Sequence, residues 1–154
     1  MLRALDGLGR RLYGAVGTQT YTCTATDTGA GMTYAWSTTS VPAASLRDAD
    51  CDEVGTHYAG PRWKSNDGSI ALGVRVRSVP SAAPSSIPQL LLSATAEAAT
   101  GVLTPVTAIQ RLDTVGGVAP ATGCAVATVG ATVAVPYTAN YYFYSGANSI
   151  PAAP

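Results

Sequence analysis

His57, Asp67 and Ser69 fall within 13 residues and supply the three side-chain types of a hydrolytic triad. A serine attacks only when a base takes its proton and an acid orients that base, so geometry decides and not nearness in sequence. Asp67-Gly-Ser69 reads as a hairpin turn that starts a strand at Ser69, where a hydrolase would need a strand-to-helix elbow. Turn chemistry and a hydrogen-bonded histidine are the expectation, and a small hydrolase using His57 and Asp67, with Ser69, is the alternative. The aromatic residues point elsewhere. Trp36, Trp63 and eight tyrosines stand beside a single phenylalanine, Phe143. Tyrosine and tryptophan join an apolar body to a polar handle and recur at binding surfaces. A ligand-binding cleft formed by His57, Trp63, Asp67 and Arg111 is the candidate site, taking a glycan or a small apolar ligand. Its plain alternative is single aromatics packed in a core.

Two further patterns carry less. Asp48, Asp50, Asp52 and Glu53 give the oxygen density that a hard cation favours. The glycine required at the sixth position of a calcium loop is Glu53 here, so a solvated acidic loop is expected, with no metal and no cofactor. Threonines at positions 18, 20, 22, 24 and 26 share one strand face, where threonine is a common outward residue.

The elements that must position these groups are strands. Gln19, Tyr21, Cys23 and Ala25 alternate with the threonines, and Ile70, Leu72, Val74 and Val76 alternate with Ala71, Gly73, Arg75 and Arg77. Near the C-terminus Val133, Val135, Tyr137, Ala139, Tyr141 and Phe143 share a face. Shorter candidates cover residues 34–38, 56–59, 89–96 and 103–112. Turn signals separate them, the sharpest being Asn66-Asp-Gly68, where Asp-Gly favours positive φ. The expected fold is all-β, an antiparallel β-sandwich or barrel of about seven or more strands in a single domain. Residues 1–12 read as a poorly ordered lead-in, 13–145 as the β domain and 146–154 as a tail.

Composition bounds the function. The chain has 154 residues, nine basic against nine acidic, with 12% charged and 47% hydrophobic. Zero net charge excludes an electrostatic nucleic-acid binder. The most apolar stretch, residues 87–99, is broken by Pro88, Gln89, Ser93, Thr95 and Glu97, so no membrane span of about 20 apolar residues is expected. The N-terminus has basic residues but lacks the apolar run of a secretory signal.

Three cysteines allow one disulfide. Cys23 shares a strand face with Tyr21, whereas Cys51 and Cys124 lie in loops that more easily reach bridging distance. Cys51–Cys124 is the preferred pair; a bridge to Cys23, or none, stays open. Pro136 lacks the N–H that a ladder needs, so residues 133–144 are expected to form an edge strand or to be bulged. There are no charges from Ala125 onward. Such an edge is unprotected, and Tyr142 and Tyr144 are expected to mediate self-association into a homo-oligomer; the alternative is that the N-terminal lead-in or the 146–154 tail folds back to cover the strand.

Several strings in one order carry a family resemblance. They are His57-Tyr-Ala-Gly-Pro-Arg-Trp63 followed by Asp67-Gly-Ser69, Ile87-Pro-Gln-Leu-Leu-Leu92, Ile109-Gln-Arg111, Thr114-Val-Gly-Gly117 and Val135-Pro-Tyr-Thr-Ala-Asn-Tyr-Tyr-Phe-Tyr144, with Val16-Gly-Thr-Gln-Thr-Tyr-Thr-Cys23 upstream. Over residues 13–144 the chain resembles the mostly secreted bacterial and fungal family known as domain of unknown function 3455. Gln89 stands where that family often has tryptophan. The resemblance implies a secreted single domain, without naming an activity or catalytic residues. Some fungal members carry a malate dehydrogenase label, but this chain has neither βαβ alternation nor a G-x-G-x-x-G after a strand. The functional expectation is a non-enzymatic extracellular binding or surface-structural β module.

Overall fold

A computed structural model of the protein describes residues 10–146. Alternating inward and outward side chains build nine strands among them: β1 (Arg10–Asp27), β2 (Met32–Trp36), β3 (Val41–Arg47), β4 (Glu53–Tyr58), β5 (Arg62–Ser65), β6 (Ile70–Val79), β7 (Gln89–Ala98), β8 (Val106–Gly116) and β9 (Thr132–Ser145). Neighbours pair antiparallel in the order β1-β3-β4-β5-β6-β7-β8-β9, and β9 returns to β1, so eight strands close into a ring. The all-β expectation is met, in its barrel form. β2 lies outside the ring, paired with Cys23–Asp27 where β1 runs on past β3.

The closing seam is the longest pairing. It runs from Arg10↔Tyr144 to Thr22↔Thr132 without a shift in register. β9 therefore has β1 on one flank and β8 on the other, and it is neither an edge nor bulged against β1. Pro136 is accommodated because β9 passes the end of β8 there: their last pair is Gly116↔Tyr137. Tyr144 is buried and its hydroxyl donates to Gln110 Oε1 at 2.7 Å, while Arg10 lies over the Tyr142 ring. Self-association through an exposed β9 edge thus loses its premise. Arg10, Arg11 and Leu12, expected in the lead-in, begin β1; residues 1–9 and 147–154 lie outside the described residues.

Space inside an eight-stranded barrel is enough only for side chains or one small ligand. Large inward residues are therefore met by small ones. Trp63, Tyr13, Tyr141 and Phe143 are fully buried beside Ala15, Ala44, Ala71 and Ala139. A Cβ on Gly73 would stand 2.7 Å from Trp63 Cζ3, which makes glycine obligatory opposite that ring. This packing settles which face of β6 turns inward. Ala71 and Gly73 face the core, whereas Val74 and Val76 are exposed. Arg75 shares the inner side and pairs with Leu92.

The two ends differ. At one, the turn after β5 and the loop 99–105 meet, and Leu103 plugs the barrel with no exposed surface. The Asn66-Asp-Gly68 turn forms as expected, although only Gly68 takes positive φ (91°), with its N–H donating to Ser65 O at 2.9 Å. At the other end, the connections before β3, between β4 and β5 and before β7 surround an open mouth.

The disulfide joins Cys23 to Cys124, which corrects the preference for Cys51–Cys124. The loop leaving β8 is strapped back along β1: Cys23 N–H donates to Ala131 O and Gly130 N–H to Cys23 O. That brings the two Cα atoms to 5.3 Å. Cys51 sits in the turn after β3, toward the plugged end, exposed and free. One thiol should accordingly take a maleimide without reduction and all three after reduction and unfolding, read by mass. Opening a loop this long should cost roughly 2–5 kcal/mol in a Cys23→Ser/Cys124→Ser chain.

Candidate functional site

The mouth of the barrel opens on a cleft of about 550 Å³. Each wall follows from register. Ala44↔His57 and His57↔Trp63 put His57 and Trp63 on the inner side of β4 and β5, and Leu90↔Arg111 and Arg111↔Tyr141 do the same for Arg111 on β8. Three of the four residues expected in a binding cleft thus converge here: His57, Trp63 and Arg111 all line it.

Asp67 does not join them. It lies at the plugged end, where its Oδ1 accepts from Ser69 Oγ at 2.6 Å and Ser69 N–H at 2.9 Å. Its Oδ2 accepts from Val102 N–H at 2.8 Å. Ser69 Oγ in turn accepts from Leu103 N–H at 3.1 Å. Burial by itself would raise the Asp67 carboxyl, but these bonds together hold it below the ordinary carboxylate value. The pair clamps the plug loop, and Ser69 is wholly buried, so its oxygen meets no substrate. Ser69→Ala strands the Leu103 amide inside the barrel. We expect a loss of about 1–3 kcal/mol in denaturant unfolding, with the open mouth unaffected.

His57 has its own partners. Its ring stacks on Trp63 (centroids 4.4 Å apart, 15° between planes) and tilts against Tyr141 at 5.1 Å. Nδ1 lies 2.8 Å from the carbonyl oxygen of Arg62, which can only accept, so Nδ1 carries the proton and Nε2 offers a lone pair. Burial, with the Arg111 charge adding to it, pushes the imidazole from 6.5 down to about 4; the bond to Arg62 opposes both. The ring is neutral through the physiological range. In the unfolded chain it binds its proton at higher pH than in the fold, so stability is complete above about 6.5 and is lost as pH falls toward 4. That loss should be on the order of 3 kcal/mol and absent from the pH dependence of His57→Gln, measured by unfolding at a series of pH values.

The remaining walls were not expected. Gln19 is buried and accepts from Ser40 Oγ at 2.7 Å. Tyr21 OH donates to Gly117 O at 2.6 Å, and the Tyr137 and Tyr141 hydroxyls are 3.2 Å apart. Burial raises both of the latter phenols, which stay neutral. Arg75 lines the rim from β6. The clue to it was present in the small residues Ala71 and Gly73, which mark the inner face of that strand beside a tryptophan. Trp63 Nε1 is a buried donor without an acceptor in the protein. The acidic run folds as a loop: Asp48 Oδ1 accepts from the N–H groups of Asp50 and Asp52. Among the described residues no three His, Cys, Asp or Glu side chains gather as a metal site would require.

A closed antiparallel ring of eight strands with a plugged floor and an open, aromatic-walled mouth defines a small β-barrel. The sequence profile described as "Protein of unknown function (DUF3455)" matches residues 11–145, and the chain belongs to that family. Comparisons with curated proteins and with solved structures return no match.

Proposed function

We propose that the protein is a non-enzymatic extracellular binding module that takes a small, largely apolar ligand into the mouth of its barrel. The observation that carries this reading is the convergence of His57, Trp63 and Arg111 on one cleft. Its size, about 550 Å³, lies within the range of small-molecule sites. The inner wall is apolar, from Leu90 and Leu92 on β7 to Ile87, Pro88 and Pro42 in the surrounding loops, with a few polar groups among them. A small ligand is favoured over a glycan because Trp63 is covered by the His57 ring and presents no open platform for a sugar. The Cys23–Cys124 bridge supports an oxidising, extracellular setting. Among the described residues no helix is long and apolar enough to cross a membrane.

The hydrolytic alternative has less support. His57 and the Asp67–Ser69 pair sit at opposite ends of the barrel, and each makes its hydrogen bonds elsewhere.

The test is a thermal-shift and fluorescence screen of small aromatic and aliphatic compounds beside a glycan array. A Trp36→Phe background leaves Trp63 as the only indole. Ligands of the expected kind shift its emission and add about 2.7 kcal/mol of stability at 100-fold excess over Kd. Leu90→Tyr, which fills the cleft without adding an indole, should remove both effects. Binding that survives Leu90→Tyr, or glycan binding alone, would overturn the reading.

A further inference from the structure

Charge inside the mouth is one-sided. The charged side chains lining it are Arg75 and Arg111, and no aspartate or glutamate lines it. Neither arginine has a carboxylate partner among the described residues. Arg111 directs Nε and Nη2 to the carbonyl oxygen of Pro88, at 3.0 and 2.8 Å. That oxygen is a neutral acceptor; it fixes the guanidinium plane without neutralising it, and the Tyr141 hydroxyl, which also meets Arg111, is neutral too. Elsewhere in the chain an arginine at the surface is handled differently. Arg62, outside the cleft, meets both oxygens of Glu97, at 2.6 and 2.9 Å.

We propose that the mouth selects small organic carboxylates: the ligand's carboxylate is taken by Arg111 and Arg75, and its apolar body lies along Leu90 and Leu92. This rests on the reading of the mouth as a binding cleft and adds the chemical class of what it holds. Register makes the arrangement. Arg75 pairs with Leu92 and Arg111 with Leu90, so the two guanidinium stems flank β7 from either side. Strands lie about 4.8 Å apart and the two register positions differ by two residues along β7, which sets the arginine Cα atoms roughly 12 Å from each other, a span that two extended arginine side chains close onto one anion. Guanidinium is the donor whose planar fork matches a carboxylate, and it stays charged at any physiological pH. A partly enclosed mouth strengthens the attraction, because low-dielectric walls screen it less than water does. An aqueous inorganic anion would gain the charge but forgo the apolar wall, whereas a neutral apolar compound would leave both guanidiniums unpaired.

The experiment compares matched probes by calorimetry: decanoate against decanamide, and 2-naphthoate against 2-naphthamide. The expected result is at least tenfold tighter binding of the acid in each pair. Arg75→Gln, at the exposed rim, and Arg111→Gln should each bring the acid-to-amide ratio toward one, with unfolding curves recorded to show that both variants fold. Arg75→Glu should reverse the preference. Lys64→Gln, which changes an exposed residue outside the cleft, should leave the ratio as it was. Equal binding of acid and amide would overturn this proposal while leaving the binding reading intact. Binding of neither member of either pair at millimolar concentration would overturn the proposal, and binding of the amides alone would do the same.

Discussion

The volume inside a ring of eight strands is fixed by the strand number, and in this protein one side chain uses up a large share of it. Trp63 reaches across from β5, and Gly73 on the next strand is glycine because a Cβ would press into that ring. From this contact several features follow. Ala71 packs against the same neighbourhood, and the Phe143 and Tyr141 rings meet Trp63 edge-on at 6.3 and 5.4 Å. His57 finds a flat surface to stack upon. The small residues on β6 must then be the inner ones, so the period-two pattern carries Arg75 to the inner side as well. The position of a charged group at the mouth is thus tied to the packing of an indole deeper in the barrel.

A second consequence is the division of the barrel into a filled half and an open half. Toward the plugged end, Leu46, Leu103, Ile109, Tyr13 and Phe143 fill the interior. The plug costs backbone groups their neighbours, since a loop that dips into a core cannot satisfy its amides by a ladder. Asp67 and Ser69 answer for two of those amides. Residue types that resemble catalytic machinery are here employed in keeping a loop seated, and their mutual hydrogen bond is part of that seat.

How far the sequence announced this depends on which physical rule governed each element. The long alternating runs of β1 and β9, and the glycine turn before β6, follow local rules and were legible. β3 and β5 were not. β3 carries Pro42 and Ala44 on the side where the ring allows little bulk, which leaves Leu46 as its one large inward residue, too few to mark a strand by alternation. β5 has only four residues. The alternation on β6 marked two faces without saying which was inner, and the barrel's limited volume turned the small one inward. Cysteine pairing depended on a loop folding back along β1, a non-local hydrogen-bonding event that no spacing encodes. His57, Trp63 and Arg111 could be singled out by residue type, but Asp67 shared their neighbourhood only in sequence.

The seam between the first and last strands also sets the order in which the protein can form. Each of the other ring contacts joins strands that are near in the chain, whereas Arg10 meets Tyr144 only when β9 has been made. On a ribosome the growing chain is therefore an open, curling meander with two raw borders, and its ring closes late. Pairings between distant segments are slow to find one another, because chain entropy is spent before contact is rewarded, and folding on the millisecond-to-second scale is the norm for such topologies. During that interval β1, β8 and the apolar inner faces are open to other chains. A barrel whose finished form exposes little strand edge passes through an unfinished form that exposes a great deal of it.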